Sequence, residues 1–266
     1  MPELSIGAHV DQVDPVAEAA ARDADLVQFF LGDPQGWKGP EVVYAGGPQA
    51  LRAAAEEAGI RLYVHAPYVI NVATGNNRIR IPSRKLLQQT MTAAGEIGAA
   101  GVIAHGGHVL AGDDPAKGYD NWRKCVEQLD MPVPLLVENT AGGTKAMARQ
   151  VDQLARLWEA VLAADGGDTV GFCLDTCHAH AAGEELLGLV DRIRAVTGRV
   201  DLVHANDSRD AFGSGADRHA NLGEGHADPD GIADVVRSAG APVLVETPGG
   251  PAEHAADIAW LRGRAG

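Results

Sequence analysis

Eight short runs rich in Val, Leu and Ile recur along this 266-residue chain, each followed by a stretch of helical character. They are SIGAHV (5–10), DLVQFFL (25–31), RLYVHAP (61–67), GVIAHGG (101–107), PLLVENT (134–140), VGFCLDTC (170–177), VDLVHAND (200–207) and PVLVETP (242–248). Runs this continuously apolar suit parallel strands buried on both faces. Asp14, Asp114 and Asp228 each precede a proline, so a capping side chain stands before a residue whose missing N–H costs nothing in a first helical turn. Val151, Leu154, Trp158 and Val161 repeat at helical spacing, and Gly59, Gly101 and Gly198 fall where helices should stop. The pattern predicts an α/β fold, a (β/α)8 barrel forming a single domain over residues 1–266, with no linker. A doubly wound open sheet is the alternative that alternation by itself leaves open.

The polar residues at the ends of the runs decide between the two. His65, His105, Glu138, Asp175, His178, His204, Asp217, His219 and Glu246 lie in six segments, each at the carboxyl end of a run or in the loop beyond it. In a barrel those ends converge on one face; in an open sheet six of them could not meet. Five imidazoles and four carboxylates are too many for one ion, since zinc takes about four ligands. With carboxylates able to bridge, they suit two or three ions, and such clusters hydrolyse phosphate esters by holding the attacking and leaving oxygens together. Glu138, Asp175, His204 and Glu246 would hold one divalent ion, and alone would suit a metal-dependent sugar isomerase or epimerase. His65 and His105 adjoin Glu138 in barrel order. His178 follows Asp175 by three, and Asp217 and His219, two apart, share a side if the segment is extended. His9 ends the first run and could line the barrel mouth; His108 reads as an outer hydrogen-bond donor. Cys173 and Cys177 flank Asp175 at i±2, facing the same way, and read as packing groups, although cysteine is a ligand that competes for zinc.

Composition sets further bounds. At 45% hydrophobic and 22% charged residues the chain can bury a full core. Three cysteines without framework spacing point to a reducing cytoplasm without disulfides. The start, MPELSIGAHV, is polar and runs into a strand, so no secretory leader is expected, and no apolar stretch approaches the ~20 residues that span a bilayer. A net charge of −14 argues against a nucleic-acid partner. Two features weaken that argument: bound cations reverse the local sign of an acidic site, and no acid lies between Glu57 and Glu96, where Arg61, Arg78, Arg80, Arg84 and Lys85 fall. The longest loops are expected at 68–82, 108–114 and 205–228, where substrate contacts concentrate.

The segments YVHAPY (63–68), IAHGGH (103–108), LVENTAGG (136–143), CLDTCHAHAAGEEL (173–186), HANDSRDAFGSGADRHANLGEG (204–225) and LVETP (244–248) together resemble endonuclease IV, the zinc-dependent apurinic/apyrimidinic endonuclease family of base-excision repair. The resemblance runs from GAHV (7–10) to the last helix, and DTCHAxAAG and DRHxNxGEG are its most specific parts. It implies a (β/α)8 barrel with three zinc ions: one on His65, His105 and Glu138; a second on Glu138, Asp175, His204 and Glu246; a third on His178, Asp217 and His219. Manganese or iron would suit the carboxylate-rich position. It further implies a monomer that cuts double-stranded DNA on the 5′ side of abasic sites, leaves a 3′-hydroxyl and trims blocked 3′ ends. Glu246 would orient or deprotonate the attacking water, and Glu138 would bridge two ions. Tyr68 and Trp37 match barrel-mouth positions that enter the gap left by the flipped nucleotide. Here the chain departs from well-known members, which carry an arginine two residues before that tryptophan; this chain has Gln35, leaving Lys38 or Tyr68 to act as the wedge. Arg78 and Arg80, in the acid-free stretch, are the expected phosphate contacts. A non-catalytic binder of damaged DNA fits less well, because every ligand position is filled.

Overall fold

The computed structural model describes residues 4–265. Met1–Glu3 and Gly266, the two ends of the expected domain, lie outside the described residues. Its strands are β1 (Ile6–His9), β2 (Leu26–Phe29), β3 (Arg61–His65), β4 (Gly101–His105), β5 (Leu135–Glu138), β6 (Gly171–Asp175), β7 (Leu202–His204), β8 (Asp207–Ser208), β9 (His219–Ala220) and β10 (Val243–Val245). Its helices are α1 (Pro15–Ala21), α2 (Gly47–Ala58), α3 (Asn77–Glu96), α4 (Pro115–Val126), α5 (Val151–Leu162), α6 (Thr176–Ala182), α7 (Leu189–Thr197), α8 (Pro229–Ala239) and α9 (Pro251–Ala265). Eight parallel strands close in the order β1-β10-β7-β6-β5-β4-β3-β2, and β8 pairs with β9 as a separate hairpin. All eight apolar runs contain a barrel strand, so the (β/α)8 reading holds and the open sheet is excluded.

Side-chain parity explains where the site lies. Successive residues of a strand point to opposite faces. Val27 and Phe29, Leu62 and Val64, Val102 and Ala104, Leu135 and Val137, and Phe172 and Leu174 pack outward in the large core beneath the helices. Between them, Leu26, Tyr63, Ile103, Leu136, Cys173, Leu202 and Leu244 form a second, smaller core that plugs the barrel. Two residues beyond each of these plugs stands an inward polar residue at the open end: Gln28, His65, His105, Glu138, Asp175, His204 and Glu246. His9 holds the equivalent place after Gly7, where a Cβ would meet the Leu26 carbonyl oxygen at 1.7 Å, so only glycine lets β1 and β2 approach.

The helix starts behave as expected. Asp14 accepts from Ala17 N, Asp114 from Ala116 N and Asp228 from Asp230 N. Other boundaries differ. Gly101 begins β4 rather than ending a helix; the left-handed residue after α3 is Gly98, at φ 67°. The loop expected at 68–82 stops at Asn76, which caps α3, and Pro82 sits inside that helix, where its missing N–H removes one bond of the ladder. The loop 205–228 contains the β8–β9 hairpin. The sixth run predicts strand through Cys177, but Asp175 Oδ1 accepts from His178 N at 2.6 Å and starts α6, so Cys177 is helical and does not share the strand parity of Cys173. Among the described residues no helix is long and apolar enough to cross a membrane.

Candidate metal centre

All nine candidate ligands meet at the carboxyl-end rim of the barrel. They resolve into three sets whose donor atoms lie within 4.8 Å of one another: His65, His105 and Glu138; Glu138, Asp175, His204 and Glu246; and His178, Asp217 and His219. Glu138, fully buried at the end of β5, is common to the first two. Its Oε2 lies 3.2 Å from His65 Nε2 and 3.3 Å from His105 Nε2; its Oε1 lies 3.0 Å from His204 Nδ1 and 3.3 Å from His178 Nδ1. Glu246 Oε2 reaches His204 Nδ1 at 3.2 Å. In the third set Asp217 Oδ1 stands 3.1 Å from His178 Nε2 and 3.2 Å from His219 Nε2.

The loop after β7 is pinned so that Asp217 and His219 arrive there. Asp207, fully buried, accepts from Ser208 N and Ala227 N with Oδ1 and from Gly223 N and Gly225 N with Oδ2, at 2.7–3.1 Å. Asp257 of α9 accepts from Leu222 N, Asn221 Nδ2 and Thr247 Oγ1, which ties the hairpin to the chain just past Glu246.

The electrostatics are those of a site built for cations. Burial alone would push the Glu138 carboxyl up, yet the imidazoles around it, His204 and His105 foremost, hold it well below the usual carboxylate range. Glu246 is lowered against its burial mainly by His204, and Asp217 by His178 and His219. Burial pushes Asp175 up. The imidazoles answer in kind. Against burial, Asp175 and Asp217 raise His178, and Cys173, Glu246 and Glu138 raise His204, both well above their ordinary value; Asp217 and Asp175 bring His219 to about 9, whereas burial wins at His65 and lowers it. Carboxylates and imidazoles stand within hydrogen-bonding distance of one another here, a donor set that could hold divalent ions.

The donor chemistry fits metal. His65 Nδ1 donates to Ala66 O at 2.7 Å, His178 Nδ1 to Asn139 O at 2.9 Å and His219 Nδ1 to Glu246 O at 3.1 Å, leaving the opposite nitrogen of each ring for the cluster. His219 Nε2 is buried and, though close to Asp217, has no aligned hydrogen-bond partner among the described residues. Cys173 and Cys177 also lie within ligand reach of these sets, and burial pushes both thiols up to about 12, so without a metal the neutral thiol is favoured. His108 accepts a contact from Asn71 Nδ2 at 3.3 Å and, among the described residues, belongs to no ligand set.

Sequence reasoning passed over Gln28. It lies within the apolar run 25–31, and the signal was its parity: it follows the plug residue Leu26 by two, as Glu138 follows Leu136. It is fully buried, and its Nε2 donates to Glu246 Oε1 at 2.5 Å.

Of the outer candidates, Tyr68 touches the site. Tyr68 is 52% exposed and stands on Phe30, His65 and His105, with ring centroids 5.1, 5.5 and 5.7 Å away. Its backbone N–H donates to Pro34 O at 2.8 Å, joining it to the loop that carries exposed Gln35 and Trp37, the latter 48% exposed. Lys38 pairs with Glu41 at 2.6 Å. Arg78 is exposed in the first turn of α3, and Arg80 donates to Thr74 O at 3.2 Å and to Asn77 Oδ1 at 2.5 Å.

Over nearly its whole length the chain is similar to known proteins. A family model described as xylose isomerase-like TIM barrel matches residues 16–264. "Probable endonuclease 4" of Mycobacterium tuberculosis (strain ATCC 25177 / H37Ra) is 55% identical over 264 residues, covering 99% of this chain and 100% of that protein. The protein of the same name from Mycobacterium leprae (strain Br4923) is 53% identical over 261 residues, covering 97% and 98%. The crystal structure of endonuclease IV from Thermus thermophilus matches with a TM-score of 0.82 at 29% identity, covering 97% of this chain and 99% of that one. A D-tagatose 3-epimerase-like protein reaches a TM-score of 0.78 at 17% identity, covering 98% and 97%, a likeness of fold alone.

Proposed function

The chain belongs to the endonuclease IV family, and from that membership we propose that it is a DNA-repair endonuclease that hydrolyses the phosphodiester 5′ to an abasic site. The product carries a 3′-hydroxyl, and the same chemistry trims blocked 3′ ends. The observation that carries the reading is the third donor set. A sugar isomerase or epimerase needs only Glu138, Asp175, His204 and Glu246; it gives no reason for His178, Asp217 and His219 to gather beside them.

Three zinc ions are the proposed cofactors, one per set, with manganese or iron an alternative at the carboxylate-rich one. Bound there, they would supply Lewis acids for the phosphodiester oxygens and a water acidic enough to attack near neutral pH. Glu138 bridges the first two sets and holds them at a fixed spacing. Glu246, anchored by Gln28, orients the attacking water and takes its proton, so no protein nucleophile is required. Three divalent ions would also more than offset the four carboxylates of the cluster, turning the mouth of an acidic protein attractive to phosphate.

An abasic nucleotide leaves the helix at little cost because it has no base to unstack. Tyr68 and Trp37, half-exposed at the rim, fill the gap it leaves. Tyr68 takes the larger part, since Gln35 replaces the family's arginine and Lys38 is already paired with Glu41. Arg78 and Arg80 contact the backbone. The enzyme works as a monomer on double-stranded DNA in the cytoplasm, as one (β/α)8 domain.

The deciding experiment is incubation with a duplex carrying one tetrahydrofuran abasic analogue, with metal counted per chain. A nick on the 5′ side and three ions support the reading. An intact duplex with a single bound ion favours the isomerase.

A further inference from the structure

Four of the five candidate imidazoles give one ring N–H to an oxygen outside the cluster. For His65, His178 and His219 that oxygen is a main-chain carbonyl, of Ala66, Asn139 and Glu246. His204 differs: its Nε2 lies 2.9 Å from Oε1 of Gln28, a side chain. The Gln28 amide nitrogen lies 2.5 Å from Glu246 Oε1 and 3.0 Å from His9 Nδ1.

These contacts allow one orientation of the amide. Turned over, it would press its oxygen against a carboxylate oxygen at 2.5 Å, lone pair against lone pair. With the NH2 on Glu246, the amide oxygen faces His204 and accepts from its Nε2–H. Nδ1 is then the nitrogen left to face Glu138 Oε1 at 3.0 Å and Glu246 Oε2 at 3.2 Å. The amide stands on β2 and is fully buried.

We propose that Gln28 is a positioning residue for the middle donor set: a single amide locks the His204 ring with Nδ1 inward and holds Glu246 beside it. The inference rests on reading Glu138, Asp175, His204 and Glu246 as a metal site. Gln28 does not bind the ion; it acts through two groups that do. Outer partners of this kind are typically worth about 10–100-fold in metal affinity. In the other three rings the outer partner is backbone and no substitution reaches it directly, so Gln28 is where this support can be tested by mutation.

The test uses full-length protein with Gln28→Met, which keeps length and volume without hydrogen bonds, and Gln28→Glu, which keeps an acceptor for His204 but sets a carboxylate against Glu246. Zinc affinities are measured site by site by competition with a chromophoric chelator, and 15N-labelled histidine spectra of the zinc-loaded protein report which ring nitrogen carries hydrogen. Unmodified protein should show His204 with hydrogen on Nε2 only. Gln28→Met should weaken the middle site about 10–100-fold, leave the other two sites unchanged and give a population with hydrogen on Nδ1. Gln28→Glu should keep the Nε2–H ring and still weaken the middle site. Unchanged middle-site affinity in either variant overturns the proposal, and this holds from Gln28→Glu alone should Gln28→Met fail to fold. A purely structural role would lower stability without moving the ring hydrogen, and that result also overturns it. If the unmodified protein binds no zinc, the metal-centre reading falls and takes this inference with it; normal binding by both variants sinks only the inference.

Discussion

Replacing Glu138 by glutamine should strip the first two donor sets together while leaving the third largely intact. The amide keeps the shape of the buried side chain but removes its charge and turns an N–H2 group toward imidazoles now 3.0–3.3 Å from the carboxylate oxygens. Two unit charges about 4 Å apart interact by about 4 kcal/mol at an effective dielectric near 20. A divalent ion doubles the Coulomb term, and desolvation of the carboxylate offsets much of it. Breaking buried charge pairs costs about 3–5 kcal/mol, which corresponds to roughly two to four powers of ten in affinity. Because Glu138 serves both sets, each should lose by that factor. His178, Asp217 and His219 keep all three of their donors. The assay is metal content after dialysis against a weak chelator, with cleavage of a tetrahydrofuran-containing duplex in parallel. The expected variant retains at most one ion per chain and shows no detectable nicking. Loss of only one ion would refute the sharing of Glu138, and a full metal complement with near-normal cleavage would refute the whole assignment.

Loading the metal-free protein should release protons at neutral pH. His178 and His204 lie well above their ordinary value and His219 at about 9, so at pH 7 all three hold protons that an incoming ion must displace, and the share from His219 should fade as pH climbs past 9. Zinc titration calorimetry in buffers of different ionisation enthalpy measures this directly; no net release at pH 7 would contradict the charge balance. Asp207→Ala leaves four backbone N–H groups without their acceptor and should cost about 2–5 kcal/mol in urea unfolding, with the third site weakened most because His219 rides on the same hairpin. A change within experimental error would mean that water replaces the carboxylate. Reversing charge at Arg78 and Arg80 together should weaken DNA binding and flatten the log–log salt dependence by about two, near 0.9 per phosphate contact. An unchanged slope would move the backbone contact elsewhere on the rim.

The barrel was legible because its signals are local. Apolar run length, a capping aspartate before proline and helical spacing are each decided within a few residues, and Asp14, Asp114 and Asp228 cap the helices they were assigned to. Local rules also mark where the reading slipped. Asp175 ends a strand and caps a helix at once, and strand alternation carried past it assigned Cys177 to the wrong element. Pro82 looked like a loop residue because a proline beyond the first turn removes a ladder bond, but packing of Leu86, Leu87 and Met91 holds α3 through it.

Residue type and position along the chain therefore determined the βα alternation and the inventory of imidazoles and carboxylates at its strand ends. Which donors come within reach of one another, and which nitrogen of each ring turns toward the rest, is decided only by closure of the sheet. Closure brings β2 within hydrogen-bonding distance of side chains more than 170 positions away, as Gln28 does with His204 and Glu246. An amide in an apolar strand has no local partner to betray its purpose. Its meaning lies in the stagger between strands, which depends on the packing of the plug residues and helices all round the barrel.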